Sequence, residues 1–168
     1  QRAGNAAQQV ADALRAQLPR ERFIYVADSG HAPYGEKTPA EITLRSQGIT
    51  RFLRRDMQCK ALAIACNTAT AVAAPSLRQD NSGWPIIGIE PAIKPAALHT
   101  RTGAVGVLAT QGTLSSSKYQ ALRERVLAAH QQAFASPLVL REVACKGLAY
   151  AIEQLSHADA GPQANDQV

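Results

Sequence analysis

Cys66, Asn67 and Thr68 place a thiol, an amide and a hydroxyl in three consecutive positions, directly after the apolar run Ala61–Ala65. A small-residue helical pattern then begins at Ala69. Physically this is a buried strand that delivers Cys66 to the mouth of a helix. Backbone N–H groups at a helix N-terminus attract anions, and the same field favours a thiolate over a thiol. One short segment therefore combines a carboxylate cradle with a reactive sulfur. Taken alone, a cysteine in this place is equally a small buried hydrophobe, and Asn-Thr after it is equally an N-cap. The case for chemistry needs further features.

Two more segments carry polar groups in suitable places. Asp28 to Pro39 is a Pro- and Gly-punctuated loop, in which Pro33 stiffens the chain and Gly35 lets the backbone approach a ligand. Thr110-Gln111-Gly112-Thr113-Leu114-Ser115 offers hydroxyls and amides at a helix start, which suits a carboxylate or phosphate. Each is, by itself, also an ordinary turn or cap.

The elements that would position these loops alternate along the chain. Strands are expected at Arg22–Ala27, Ala61–Ala65, Pro85–Ile89, Ala104–Leu108 and Leu138–Val143. Helices are expected at Ala6–Leu18, Pro39–Arg55 (capped by Thr38), Thr68–Arg78, Pro91–His99, Leu114–Gln132 and Lys146–Leu155. The strands lack a regular apolar–polar alternation, as expected of parallel sheets buried on both faces. The order predicts a layered α/β fold with right-handed crossovers. Ligands in such sheets bind outside the carboxyl ends of the strands, where Asp28, Cys66 and Thr110 all fall. The break at Leu98–Gly103 divides the chain into a first unit over 1–98 and a second over 99–168.

Composition narrows the classes. The chain has 168 residues, 46% of them hydrophobic, which is enough for a core. No apolar stretch approaches the ~18 residues needed to span a membrane, and the polar start does not read as a signal peptide. Three cysteines without CxxC spacing argue against a disulfide framework or a zinc site and for a reducing cytoplasm. The net charge is +5, but aromatics are only 5%, so the stacking platform of a single-strand nucleic-acid binder is not expected. The densest basic group, Arg51, Arg54, Arg55 and Lys60, reads as a solvated helix face.

Together, the loops resemble the cofactor-independent aspartate/glutamate racemase superfamily, and within it the glutamate racemases. The matching segments are Pro33-Tyr34-Gly35-Glu36-Lys37, Ala65-Cys66-Asn67-Thr68-Ala69, Pro85-Ile86-Ile87-Gly88-Ile89-Glu90-Pro91, and Val105 to Thr110 with Gly112-Thr113. The resemblance covers roughly Leu18 to Leu155. It implies two similar Rossmann-like domains, the second incomplete here. It also implies racemisation of L- and D-glutamate by two cysteines, with no cofactor and no metal, supplying D-glutamate for peptidoglycan. One thiolate removes the α-proton and the other thiol returns a proton from the far side. Cys66 matches the first of the pair. Pro33, Tyr34, Gly35, Asn67, Thr68, Thr110 and Thr113 match substrate-binding positions. The expected partners are glutamate and a second copy in a homodimer. Aspartate or a related amino acid is the alternative substrate, and a non-catalytic carboxylate-binding remnant the alternative function.

Two family segments have no counterpart. The opening Asp-Ser-Gly-x-Gly-Gly would fall at Arg2-Ala3-Gly4-Asn5-Ala6-Ala7, where only Gly4 agrees. The second catalytic Cys-Thr-His is missing: Cys145 matches a different family stretch, and Cys59 precedes its strand as a structural or surface thiol. The first residue is Gln, and the stretch from Ser156 to Val168 is polar, so the chain reads as cut. An inactive or impaired racemase is the expectation for these 168 residues alone.

Overall fold

Thr38 opens the best-defined helix of the molecule through a reciprocal cap. In the computed structural model, which describes residues 6–148 and 151, the Glu41 N–H donates to Thr38 Oγ1 at 3.3 Å, and Glu41 Oε2 accepts the Thr38 N–H at 2.9 Å. With Pro39 preset for the first turn, the helix has little choice of starting point. Helix α1 (Ala6–Gln17) precedes it, and two 3₁₀ turns, Ser29–His31 and Tyr34–Glu36, lie between. Helix α2 (Pro39–Arg51) buries Ile42, Ser46 and Thr50, one per turn, and ends in a π-helical turn at Phe52–Asp56.

Strand β1 (Leu62–Ile64) pairs in parallel with β2 (Ile86–Gly88), with Leu62 opposite Ile86 and Ile64 opposite Gly88. Helices α3 (Asn67–Val72) and α4 (Ala74–Asp80) connect them. Helix α5 (Ile93–His99) leads to β3 (Ala104–Ala109), then α6 (Gln111–Leu114), α7 (Ser117–Ala133) and β4 (Val139–Ala144). β3 and β4 form a second parallel pair, in register from Ala104–Val139 to Ala109–Ala144. The α/β class and the parallel strands agree with the sequence reading.

Each strand pair has its own core. Ile42, Ala69, Ala73, Leu77 and Ile86 pack together behind β1 and β2. Ile93, Ala97, Val107, Tyr119, Leu122 and Val126 pack behind β3 and β4. Helix α5 thus buries Ile93 and Ala97 against the second pair, while Leu98 stays exposed. Gly88 is required by close approach: a Cβ there would overlap the Thr70 methyl.

Five expectations need correction or fall outside the described residues. The strands are not buried on both faces: Ile87, Leu108 and Val143 are exposed and β4 has no buried residue, because each sheet has only two described strands and its helices cover one side. Arg22–Ala27 is irregular and joins no ladder among the described residues, and Ile24, Tyr25 and Val26 are exposed. A β-forming composition yields a strand only where another strand supplies hydrogen bonds. The expected helix Thr68–Arg78 is two helices, because Pro75 has no N–H for the carbonyl one turn back and the chain bends at Ala73. The helix expected from Leu114 starts at Ser117, since Ser116 caps it by accepting the Tyr119 N–H at 3.2 Å. Most of the expected closing helix Lys146–Leu155 lies outside the described residues.

Candidate functional site

Cys66 stands two residues beyond β1 and caps α3: its Sγ accepts the Ala69 N–H at 3.5 Å. Its backbone is still extended (φ −140°, ψ 121°), so the change from strand to helix occurs at this residue. Cys66 and Tyr34 both pack against the first core. Helix α3 is only six residues long, so the dipole behind Cys66 is short.

Hydroxyls from two strand ends meet beside it. Thr68 Oγ1 lies 3.2 Å from Thr110 Oγ1, which in turn lies 3.0 Å from Thr113 Oγ1. Thr110 follows β3 and caps α6 by accepting the Thr113 N–H at 3.2 Å. Thr68 and Thr113 are buried. Next to them, Asn67 Oδ1 is buried with no hydrogen-bond partner. An orphaned buried carbonyl oxygen is costly, and a donor from a bound molecule would satisfy it. A small hollow beside this oxygen is lined by Thr113, Tyr119, Glu90 and Lys118, the last two 3.6 Å apart as an ion pair.

The first loop closes against the same place. The Ala32–Pro33 peptide is cis, Pro33 precedes the Tyr34–Glu36 turn, and Gly35 lies so close to Thr110 that a Cβ would overlap the Thr110 methyl. Glycine is needed here by proximity. Tyr34, Gly35, Cys66, Asn67, Thr68, Thr110 and Thr113 therefore form one cluster at the carboxyl ends of β1 and β3, with Pro33 at its edge.

Four residues outside the expected set hold this cluster: Asp28, His31, Glu36 and Arg45. Asp28 accepts hydrogen bonds from Tyr34 Oη at 2.6 Å, from Arg45 Nε at 3.0 Å and from Arg45 Nη2 at 2.6 Å. His31 Nδ1 lies 3.0 Å from the same carboxylate. The Arg45 hydrogen bond holds the Asp28 carboxyl well below the usual carboxylate range, against the opposing effect of burial, with Tyr34 and His31 adding to it. Burial first, and then the Asp28 hydrogen bond, push the Tyr34 phenol above its ordinary range. Glu36 Oε1 accepts the Gly147 N–H at 2.9 Å. Arg45 lies seven residues into the chain after the Thr38 cap. The sequence signal was a lone cation about two turns along the helix after the loop, which spacing alone does not link to Asp28.

The other cysteines stand apart in role. Cys59 accepts the Trp84 Nε1–H through its carbonyl at 2.8 Å, a packing contact. Cys145 follows β4, where its N–H donates to the Ala109 carbonyl at 3.0 Å. Arg51, Arg54, Arg55 and Lys60 are exposed, as a solvated face requires, with Arg54 also lying over the Trp84 ring at 5.7 Å and Lys60 paired with Glu21.

The chain matches the family described as Asp/Glu/Hydantoin racemase over residues 5–160, and it belongs to that family. Glutamate racemase of Pseudomonas entomophila (strain L48) is 49% identical over 136 residues, covering 81% of this chain and 48% of that protein. Glutamate racemase of Pseudomonas aeruginosa is 46% identical over 151 residues, 89% of this chain and 52% of that one. The chain thus spans about half the length of the curated relatives it matches. Among solved structures, Escherichia coli glutamate racemase in complex with L-glutamate and the activator UDP-MurNAc-ala superposes with a TM-score of 0.71 at 33% identity, over 89% of this chain and 52% of that one. The Francisella tularensis glutamate racemase in complex with D-glutamate gives 0.68 at 26% identity, over 90% and 53%.

Proposed function

We propose that this chain supplies the Cys66 side of a cofactor-independent glutamate racemase. The observation that carries the proposal is the meeting of Gly35, Thr68 and Thr110 from three loops beside Cys66. In this reading the Cys66 thiolate takes the α-proton. The Thr68, Thr110 and Thr113 hydroxyls and the orphaned Asn67 oxygen bind the amino acid's polar groups, and Pro33, Tyr34 and Gly35 close over it. Holding the substrate in one orientation removes much of the barrier that free encounter imposes, and fixed dipoles stabilise charge developing at Cα.

Proton abstraction by one thiolate accounts for exchange at Cα. Inversion needs a donor on the opposite face, assigned by resemblance to a second cysteine. The L- and D-glutamate complexes of the related enzymes support glutamate as substrate over aspartate. The proposal extends to the supply of D-glutamate for peptidoglycan, to a cytoplasmic setting, to a second copy as partner, and to a division of the chain near residue 98. Among the described residues no helix is long and apolar enough to cross a membrane.

The test is α-proton exchange of L- and D-glutamate in heavy water, with Cys66→Ala as control. Exchange that vanishes in the variant supports Cys66 as a base. Exchange of aspartate but not glutamate reverses the substrate assignment. Glutamate binding with no exchange favours a carboxylate-binding module.

A further inference from the structure

A site built on a Gly-containing turn needs something to hold that turn, and the resemblance assigns no residue to the task. Asp28 has the geometry for it. A carboxylate offers about four acceptor directions, and Tyr34 Oη, Arg45 Nε, Arg45 Nη2 and His31 Nδ1 all lie within 3.0 Å of its two oxygens. Its side chain is 14% exposed. Arg45 is rigidly mounted: it sits on α2 between the buried Ile42 and Ser46, above the Thr38–Glu41 cap. A bidentate guanidinium–carboxylate pair fixes orientation as well as distance. The Tyr34 ring cannot swing while its hydroxyl donates to that carboxylate. Gly35 follows Tyr34 directly and lies against Thr110, whose hydroxyl reaches Thr68 beside Cys66.

Resting on the reading of Tyr34 and Gly35 as substrate-binding, we propose that Asp28, anchored by Arg45, is the positioning residue that sets the Tyr34–Gly35 turn against Thr110. Asp28 acts through Tyr34 and touches no substrate.

The experiment compares wild type, Asp28→Asn, Asp28→Ala, Tyr34→Phe and the Asp28→Asn/Tyr34→Phe double variant of the full chain. D-glutamate affinity is measured by NMR titration, Cα exchange at saturating glutamate in heavy water, and unfolding by thermal melt. Loss of Asp28 should weaken glutamate binding about tenfold, the worth of one charge-assisted hydrogen bond, while exchange at saturation changes far less. In the Tyr34→Phe background, Asp28→Asn should add little to the loss of affinity, because the link is already broken. A lowered melting temperature with unchanged affinity overturns the proposal, as does a full additive loss in the double variant. If wild type neither binds glutamate nor exchanges its proton, the racemase reading fails by itself. The turn is then read directly from the Gly35 amide and Tyr34 ring resonances: displacement of both in the near-isosteric Asp28→Asn supports the positioning role, and unmoved resonances overturn it.

Discussion

Gly147 donates its backbone N–H to Glu36 Oε1 at 2.9 Å, joining positions 111 residues apart. Glu36 ends the turn that carries Tyr34 and Gly35, and Gly147 follows β4 in a left-handed conformation (φ 76°) that favours glycine. The first loop is thus tied at one end to α2 through Asp28 and at the other to the end of the second strand pair.

Removing this tie should loosen the segment after β4 more than the core. Glu36→Ala is expected to speed amide exchange at Gly147 about fivefold, in line with a modest net hydrogen bond at an exposed site. Glu36→Gln, which keeps an acceptor oxygen, should fall between. Hydrogen exchange followed by NMR checks both.

Gly35 and Thr110 make a steric pair. Gly35→Ala should destabilise the chain by about 1–3 kcal/mol, the usual cost of forcing atoms into filled space. Thr110→Ser removes the obstructing methyl and keeps the hydroxyl, so Gly35→Ala/Thr110→Ser should recover much of that loss. Urea denaturation of the four proteins closes the cycle. Equal losses with and without Thr110→Ser would contradict the contact.

The Asp28 carboxyl sets an acid limit. Its value in the folded chain lies below that of a free aspartate, so the unfolded chain binds the proton more readily. The stabilisation is complete above the ordinary aspartate value of about 3.9 and is lost as the pH falls from there through the folded value. The melting temperatures of wild type and Asp28→Asn should differ above about pH 5 and converge as the pH falls below about 4. A gap that persists unchanged in acid would contradict an ionised Asp28 as its source.

Leu77 is 1% exposed in the first core, against Ile42 and Ala73. Leu77→Ala should cost about 2–5 kcal/mol, from lost burial and the cavity left behind. Chemical denaturation measures it, and a loss under 1 kcal/mol would mean that α4 collapses into the space.

The legible parts of this molecule were those governed by local chemistry. The apolar run into Cys66 gave away both β1 and its hand-over to α3, and Thr38-Pro39 with Glu41 announced α2. The bend at Ala73 was also written locally, in Pro75, but the apolar spacing on either side hid it. Arg22–Ala27 could not be judged from composition, because pairing depends on a neighbour elsewhere in space. Of the candidate site, Tyr34, Gly35, Cys66, Asn67, Thr68, Thr110 and Thr113 were named by motif, and the structure brings their loops together. Arg45 and the Glu36–Gly147 tie were not, since both are contacts between elements, and α5 gave no local hint that it would pack with β3.

The Gly88–Thr70 contact behind β2 has the same form as that of Gly35 with Thr110, but it lies in the framework. It has a consequence in descent. A side-chain carbon at position 88 would meet both the methyl and the hydroxyl of Thr70, so a lineage of this fold can add one there only where position 70 has already become smaller. The two positions are therefore expected to change in a fixed order, although 18 positions separate them in the chain.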